Sequence, residues 1–148
     1  MSGPELAKLG FSHSPFMRFL GLEIITAEKG RVEIRLPYRD EFLRSDGSDW
    51  LHGGVVSALA DIAGDYAVIT ETAPGVPTID MRVDYLRPAR RGDLTAVGKT
   101  VRVGRTVSVA DVEIRDSMGT LVAVARACYA SPRPPAEEAE GKPGEETP

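Results

Sequence analysis

The sequence predicts an α+β fold in which an antiparallel β-sheet packs on one long, mostly buried α-helix. Residues 49–72 place apolar side chains at intervals of three and four residues and contain few charges, which is the pattern of a buried helix. The segments on either side alternate apolar and polar residues between turn residues, and no helical crossover separates the strands after residue 78. Consecutive strands of this kind indicate an antiparallel sheet that packs on a segregated helix.

The elements before the long helix are a short helix and a hairpin. Ser14 and Pro15 are typical of an N-cap followed by the first helical residue, and Gly21 ends this helix. Residues 22–27 and 31–36 alternate in polarity on either side of a short turn and predict an antiparallel hairpin. After the long helix, the same alternation predicts strands over residues 78–86, 94–103, 106–114 and 121–129.

Two features of the later strands concern packing. The strand over residues 106–114 shifts its apolar phase between Val109 and Val112, which predicts a β-bulge. Cys128 lies in an apolar, alternating segment with no histidine nearby in sequence. A thiol packed in the core is therefore favoured over a nucleophile, and a single cysteine excludes an internal disulfide.

A chain of 148 residues fits one domain with its own core. We expect residues 1–12 to be loosely ordered, residues 13–131 to form the folded domain and residues 132–148 to be a disordered tail. The tail has five prolines, no large apolar residue, and five glutamates against Arg133 and Lys142. The rest of the chain is almost neutral, which leaves room for a basic patch that binds an anionic ligand.

Composition excludes several classes of partner. The formal net charge is −4 and the pI is about 5.2, which argues against nucleic acid. No apolar run approaches the ~20 residues of a membrane span, and the first residues lack the pattern of a signal peptide. Two histidines and one cysteine give no metal-ligand spacing. We therefore expect a cytoplasmic protein with no metal, no nucleic acid and no membrane partner.

Two carboxylates lie inside the helix-forming run, and both project to nearly the same face because Asp65 follows Asp61 by four residues. Burying a carboxylate without partners costs several kcal/mol or raises its pKa. Asp61 is therefore either a functional acid or a group that hydrogen-bonds to a neighbouring backbone. Asp65 is expected to be structural or solvent-facing.

The start of the long helix is a candidate anion site. Gly53 and Gly54 leave backbone N–H groups uncovered where the helix dipole is positive, which suits an anionic oxygen, although a tight turn would also require glycine. Asp61 follows His52 by nine residues, which is about 13 Å along the axis and on the opposite side. Two such helices packed antiparallel about a two-fold axis would bring the acid of one chain near the amide of the other. We therefore expect a dimer with its sites between subunits.

The sequence resembles the hotdog-fold acyl-CoA thioesterases of the phenylacetate-degradation (PaaI) type. The resemblance is carried by HGGVVSALAD at residues 52–61, PTIDMRVDYLRPARRGD at residues 77–93 and VGRTVSVADVEIRD at residues 103–116. It runs from about Phe16 to Ala130. It implies a hotdog fold, in which an antiparallel sheet wraps around one long central helix.

The resemblance also implies roles for individual residues. Asp61 would be the catalytic carboxylate, either a general base on water or a nucleophile. The Gly53 N–H would polarise the thioester carbonyl, and Thr78 would hold the water or the acid. His52 would mainly fix the loop and the helix start through hydrogen bonds, with a role as base less favoured.

The coenzyme A carrier is expected to bind near the ends of the strands, where arginines suit its phosphates. Solvated charges are the alternative for any single arginine, and a glycine there could simply turn the chain. The substrate-binding residues implied by the resemblance are Asp46, Gly54, Tyr85, Leu86, Arg87, Pro88, Ala89, Arg90, Arg102, Gly104 and Arg105, with Arg91 in the same group of arginines.

One position departs from the family pattern. Many relatives carry asparagine six residues before the histidine as a second oxyanion donor, whereas this chain has Asp46. An ionised carboxylate only accepts hydrogen bonds and would repel an oxyanion. Either Ser45, Ser48 or a water supplies the donor, the loop is shifted in register, or activity is reduced.

The resulting hypothesis is an acyl-CoA thioesterase that acts on small or aromatic acyl groups, with coenzyme A as part of the substrate and no cofactor. A homodimer or a dimer-of-dimers tetramer is expected. The first alternative is a non-catalytic acyl-CoA binding or sensing protein, and the second is a hydroxyacyl-thioester dehydratase. Phe16, Phe19 and Leu20 are expected to cover the core rather than to line an acyl pocket.

Overall fold

The computed structural model describes residues 2–72 and 74–131, so the predicted tail lies outside the described residues. The chain folds as a six-stranded antiparallel sheet with one long helix packed against it, which confirms the predicted hotdog fold. The order of strands across the sheet is β1-β2-β4-β5-β6-β3. The elements are α1 (Gly3–His13), α2 (Pro15–Leu20), β1 (Glu23–Glu28), β2 (Arg31–Leu36), a 3₁₀ turn (Asp40–Phe42), α3 (Gly53–Ile69), β3 (Thr78–Tyr85), β4 (Leu94–Arg102), β5 (Val107–Arg115) and β6 (Leu121–Ala130).

Small residues let α3 lie close to the sheet. A Cβ added at Gly98 of β4 would stand 2.1 Å from the Ala63 carbonyl oxygen, and one added at Gly64 would stand 2.2 Å from the Tyr129 hydroxyl. Neither distance is compatible with an atom, so only glycine allows this approach. The helix is consequently buried along most of its length, as its apolar periodicity predicts.

The expectation of a loosely ordered start is wrong for residues 3–12, because they form most of α1. The Glu5 carboxylate accepts a hydrogen bond from the Ser2 N–H at 2.6 Å, which completes a capping box at the start of the helix. Phe11 then packs edge-on against Tyr66 of α3, with 5.1 Å between the ring centroids. The helix is stabilised by contacts with α3 that position in the sequence does not reveal.

The short helix α2 and the hairpin follow the prediction. The Ser14 hydroxyl accepts from the Met17 N–H, and Gly21 closes the helix with a φ of 70°. Leu20 is buried as expected, but Phe16 and Phe19 are 53% and 64% exposed, so they do not cover the core of this chain. The two rings face outward and are available to contact another molecule.

Two packing predictions for the later strands are wrong. The inward residues of β5 are Ser108, Ala110, Val112 and Ile114, which keep one phase without a bulge. The register shift instead lies on the neighbouring strand β4, between Thr100 and Arg102. Cys128 is half-buried and alternates with the inward alanines of β6, so it lies on the outer face of the sheet rather than in the core.

The sheet has two ends that matter for the site, and α3 runs from one to the other. The amide end is defined by Gly53, Tyr85 and Leu94, and the acid end by Asp61, Thr78 and Arg102. β3 forms one edge of the sheet and spans both ends. Within the described part of the chain, no helix is long and apolar enough to cross a membrane.

Candidate active site

The start of α3 is fixed by His52. Its Nδ1 accepts the Gly54 N–H at 2.9 Å, and its own backbone N–H donates to the Phe42 carbonyl at 2.8 Å. Because Nδ1 is an acceptor, the neutral ring carries its proton on Nε2. A Cβ at Gly54 would stand 3.0 Å from Nδ1, so a larger residue would push the ring aside. His52 therefore holds the helix start, as the resemblance implies.

Gly53 presents an uncommitted amide. It is the first residue of α3, and its N–H has no acceptor within the described residues, as expected at a helix start. A Cβ at this position would make ordinary contacts with the Tyr85 ring, the nearest at 3.5 Å. The Tyr85 hydroxyl donates to the Gly53 carbonyl at 3.2 Å. The amide can therefore donate to a bound anionic oxygen where the helix dipole favours negative charge.

A cavity of about 500 Å³ opens beside this amide at the amide end. The segment after β3 forms one wall, and it is held by the Leu86 N–H, which donates to the Val122 carbonyl at 2.8 Å. The structure thus brings five predicted binding residues together with Gly53. Lining residues are Arg44, Trp50, Leu51, His52, Gly53, Val56, Tyr85, Leu86, Arg87, Pro88, Ala89 and Val122. Sequence reasoning did not place Val122 here, because its proximity arises only from the pairing of the sheet.

The acid end holds Asp61. Its Oδ1 accepts a hydrogen bond from the Thr78 hydroxyl at 2.7 Å, so the structure joins two residues that only the resemblance had connected. The buried Tyr129 of β6 donates its hydroxyl to the Asp61 backbone carbonyl at 3.0 Å. Sequence reasoning missed Tyr129, which alternation marks only as another inward residue. These two contacts fix both the backbone and the side chain of the acid.

Asp65 lies one turn beyond Asp61, and the side chain is half-buried. Its Oδ1 is buried and has no hydrogen-bond partner within the described part of the chain. Burial first, and the nearby charge of Asp61 second, raise the pKa of Asp65 to about 7. The helix therefore carries a second carboxyl that changes charge near neutral pH.

One chain does not assemble a complete site. Gly53 and Asp61 are eight residues apart on α3, which is about 12 Å along the axis, so one carbonyl carbon cannot contact both groups. The predicted arginine cluster is also divided within the chain. Arg87 lies at the amide end, whereas Arg102 lies at the acid end, separated by the length of β4, about 30 Å.

Two other arginines of the predicted cluster, Arg90 and Arg91, have local partners. Arg90 lies over the Trp50 ring, with 5.7 Å between its guanidinium carbon and the ring centroid. Arg91 donates to Asp40 at 2.8 Å, so its charge is already paired. Arg105 is exposed beside Gly104 in the turn after β4. A Cβ at Gly104 would stand 2.2 Å from the Val107 carbonyl oxygen, so the turn itself requires glycine.

Asp46 lies on an exposed loop and does not line the cavity at Gly53. The Arg44 N–H donates to the Trp50 carbonyl at 3.1 Å, which closes the loop, and the Ser48 hydroxyl accepts the Trp50 N–H at 3.0 Å. The amide of Gly53 is thus a backbone N–H without an acceptor among the described residues that one chain presents in the cavity. The source of a second donor stays a prediction.

The protein-family model described as the thioesterase superfamily matches residues 50–123, which include α3, β3 and most of the later strands. The chain belongs to the thioesterase superfamily. It is a thioester hydrolase, as the predicted family implies. Members of this superfamily share the arrangement of sheet and helix described above.

Three similar proteins illustrate the relationship. The chain is 38% identical over 109 residues to a protein named as an esterase in Saccharolobus solfataricus, covering 73% of this chain and 76% of that protein. It is 32% identical over 132 residues to the medium/long-chain acyl-CoA thioesterase YigI of Salmonella typhimurium, covering 79% and 85%. The structure of the PaaI protein from the phenylacetic acid degradation operon of E. coli superposes with a TM-score of 0.78 at 25% identity, covering 88% of this chain and 93% of that chain. The predicted similarity to PaaI-type thioesterases is confirmed.

Proposed function

We propose that this thioester hydrolase is an acyl-CoA thioesterase that acts on small or aromatic acyl groups and uses Asp61 as its catalytic carboxylate. The observation that supports this role is the hydrogen bond at 2.7 Å between the Thr78 hydroxyl and the Asp61 carboxylate. Asp61 is half-buried on α3, so its carboxylate can meet a substrate. YigI, named as a medium/long-chain acyl-CoA thioesterase, supports the acyl-CoA part of this proposal and differs in the length of its acyl chain.

Hydrolysis by this route needs one proton acceptor and one oxyanion donor. With Asp61 as general base, a water oxygen bonds to the thioester carbon while the carboxylate takes the water proton. The C–S bond then breaks, and the proton passes to the leaving coenzyme A thiolate. With Asp61 as nucleophile, the carboxylate attacks the same carbon, and the C–S bond breaks to release the coenzyme A thiolate and leave a mixed anhydride. Water then hydrolyses the anhydride to the free acid and the Asp61 carboxylate, and the acid proton passes to the thiolate. In both cases the Gly53 N–H stabilises the oxyanion, a contribution of about 10²- to 10³-fold in rate.

We propose that the site is completed by a second copy of the chain. Two β3 strands paired antiparallel about a two-fold axis would place the acid end of one copy beside the amide end of the other. β3 is an edge strand, and its exposed Ile79 and Tyr85 are apolar side chains that pairing would cover. Asp61 of one copy would then approach Gly53 of the other, and two such sites would form in each dimer.

The same pairing would reunite the divided arginines. Arg87 and Arg90 of one copy would face Arg102 and Arg105 of the other, and all four side chains are exposed. Arginine forks suit the phosphates of coenzyme A. A tetramer formed from two such dimers agrees with this arrangement, and the carrier would lie along the outside of each intersubunit site.

A sensor that binds acyl-CoA without hydrolysing it is the second candidate. Asp46 is the observation that favours it, because the position where many relatives have an oxyanion donor holds a carboxylate. The hydrogen-bonded pair of Asp61 and Thr78 favours the enzyme, because a sensor has no need of an oriented acid. The dehydratase alternative has no comparable support in the described geometry.

Thiol release from a panel of acyl-CoAs tests the proposal. The panel contains short aliphatic, phenylacetyl, benzoyl and long-chain thioesters, and the protein is compared with its Asp61→Asn variant. We expect kcat to fall by about 10²- to 10⁴-fold in Asp61→Asn, because the proton acceptor is removed while the side-chain shape is kept.

The matched control is Glu71→Gln, which neutralises an exposed carboxylate two residues beyond α3. Its activity should equal that of the native protein. Tight binding of the esters by the native protein without release of thiol from any of them would overturn the thioesterase proposal and favour the sensor.

A further inference from the structure

A second cavity, of about 310 Å³, lies at the acid end. The N-terminal helix α1 contributes one wall, α3 a second, and the segment leading into β3 a third. The lining is apolar apart from one carboxyl and one phenol. Its residues are Gly10, Asp65, Tyr66, Ile69, Pro74, Gly75, Val76 and Pro77.

This cavity adjoins the catalytic acid. Pro77 in its wall immediately precedes Thr78, whose hydroxyl binds Asp61. Asp65 follows Asp61 by four residues on the same helical face, which places their Cβ atoms about 5–6 Å apart. A short acyl group whose carbonyl is held at Asp61 can therefore extend its far end into the cavity.

Asp65 is the polar residue of the cavity whose hydrogen-bonding capacity is left unsatisfied by the described residues. Its Oδ1 is buried without a hydrogen-bond donor, and no ion pair joins Asp65 to any other described residue. A buried carboxyl oxygen without a donor costs free energy, which a ligand that donates a hydrogen bond would recover. The raised pKa of this carboxyl agrees with its burial.

We propose that Asp65 is a specificity-determining residue that accepts a hydrogen bond from a hydroxyl group near the far end of the acyl chain. The proposal rests on the proposed function, because it assigns this cavity to the acyl group of a substrate hydrolysed at Asp61. A hydroxyl fits better than an ammonium group, because transfer of a cation into apolar surroundings carries a large desolvation cost. The preferred substrates are therefore short hydroxyacyl thioesters.

The test compares 5-hydroxypentanoyl-CoA with pentanoyl-CoA at pH 8, where the Asp65 carboxyl is mostly ionised. The readout is the ratio of kcat/KM for the two esters, measured on one preparation as thiol release above the rate without protein, because the hydroxylated ester also releases its thiol by forming a lactone. This ratio does not depend on the fraction of folded protein. We expect the native protein to prefer the hydroxylated ester by about 10- to 100-fold, the range for a hydrogen bond to a charged group.

Two variants of Asp65 sharpen the test. Asp65→Leu removes the acceptor and fills similar space, so its ratio should fall to one or below. Asp65→Asn keeps a carbonyl acceptor without the charge, so its ratio should be intermediate. Glu71→Gln, which neutralises an exposed carboxylate just beyond the same helix, should keep the native ratio.

Equal efficiency with both esters in the native protein, or an unchanged ratio in Asp65→Leu, would overturn the role of Asp65 and leave the thioesterase proposal standing. Hydrolysis of other acyl-CoAs without hydrolysis of the hydroxylated ester would have the same meaning. Absence of thiol release from every ester of the wider panel would overturn both proposals together.

Discussion

The two ends of α3 offer opposite chemistry. The start of the helix presents backbone N–H groups and a positive dipole, with His52 held as a cap and the Gly53 amide left without an acceptor. The later turns present carboxyls, one oriented by Thr78 and one with a buried, unpaired oxygen. A single straight helix cannot bring its own two ends together. The comparison supports the proposal that each chain supplies half of two sites rather than the whole of one.

The strongest test of this division mixes two variants, one that lacks the acid and one that lacks the amide. Asp61→Asn removes the acid, and Gly53→Pro removes the amide, so either variant alone should be almost inactive. A mixed dimer of the two variants contains one site with both native groups, because the acid and the amide come from different chains. Refolding the two variants together should therefore restore thiol release that neither shows alone. If the mixture stays as inactive as its components, the acid and the amide act within one chain.

Removal of the amide alone should have the next largest effect. Proline is tolerated at the first residue of a helix, and the extended ψ of 136° at His52 is compatible with a following proline. Gly53→Pro should therefore keep α3 while deleting one N–H, and kcat should fall by about 10²- to 10³-fold. Gly53→Ala is the control, because its Cβ makes ordinary contacts and its N–H is kept. Equal losses in both variants, measured by steady-state kinetics, would point to crowding instead of a lost donor.

Asp65, at the acid end, should affect the stability of the fold and its dependence on pH. The pKa of Asp65 is about 7 in the folded protein and about 3.9 in the unfolded chain, so the folded state holds a proton that the unfolded state has released. Stability contributed at this site therefore falls as pH rises from about 4 to about 7, by at most ~1.4 kcal/mol per pH unit, and then stays level. The charged or titratable groups near it are Asp61 on the same helix and the phenols of Tyr66 and Tyr129.

Urea unfolding between pH 4.5 and 8.5 measures this effect. The free energy of unfolding of Asp65→Asn should exceed that of the native protein by an amount that grows up to about pH 7 and then levels off. A difference that does not change with pH would show that Asp65 is ionised throughout and has a partner in the assembled protein.

The smallest expected effect concerns Asp46, which belongs to neither half of the site in one chain. Asp46→Asn replaces an acceptor by a group that can also donate. If the loop of one copy reaches the site of another, kcat should rise severalfold on phenylacetyl-CoA, since a second oxyanion donor is gained. Unchanged kinetics would show that the loop stays outside the site in the assembly.

Periodicity and turn residues were sufficient to predict the long helix, the hairpin and the strands, because these depend on local burial patterns. The pairing of Asp61 with Thr78 came from resemblance, and no local pattern in the sequence encodes a contact across seventeen residues. The helix α1 was missed because its stability comes from Phe11 packing on Tyr66. The burial of one oxygen of Asp65 was not predicted, because it depends on elements that converge from distant parts of the chain.

The arginines that the resemblance implies for binding the carrier are divided within one chain. Arg87 lies at the amide end and Arg102 at the acid end, and the length of β4 separates the two ends. Their convergence in a pair of copies stays a proposal, because one sequence does not display the geometry of an assembly.

The close approach of Ala63 and Gly98 also fixes the position of α3 along the sheet. Because no side-chain atom separates the helix from the strand there, α3 cannot slide along the sheet without a backbone clash. In a dimer with shared sites, that contact would work as a spacer that sets how far each acid stands from the two-fold axis. A substitution at Gly98 would then misalign both reaction centres at once, and turnover would fall in an enzyme whose every catalytic group is still in place.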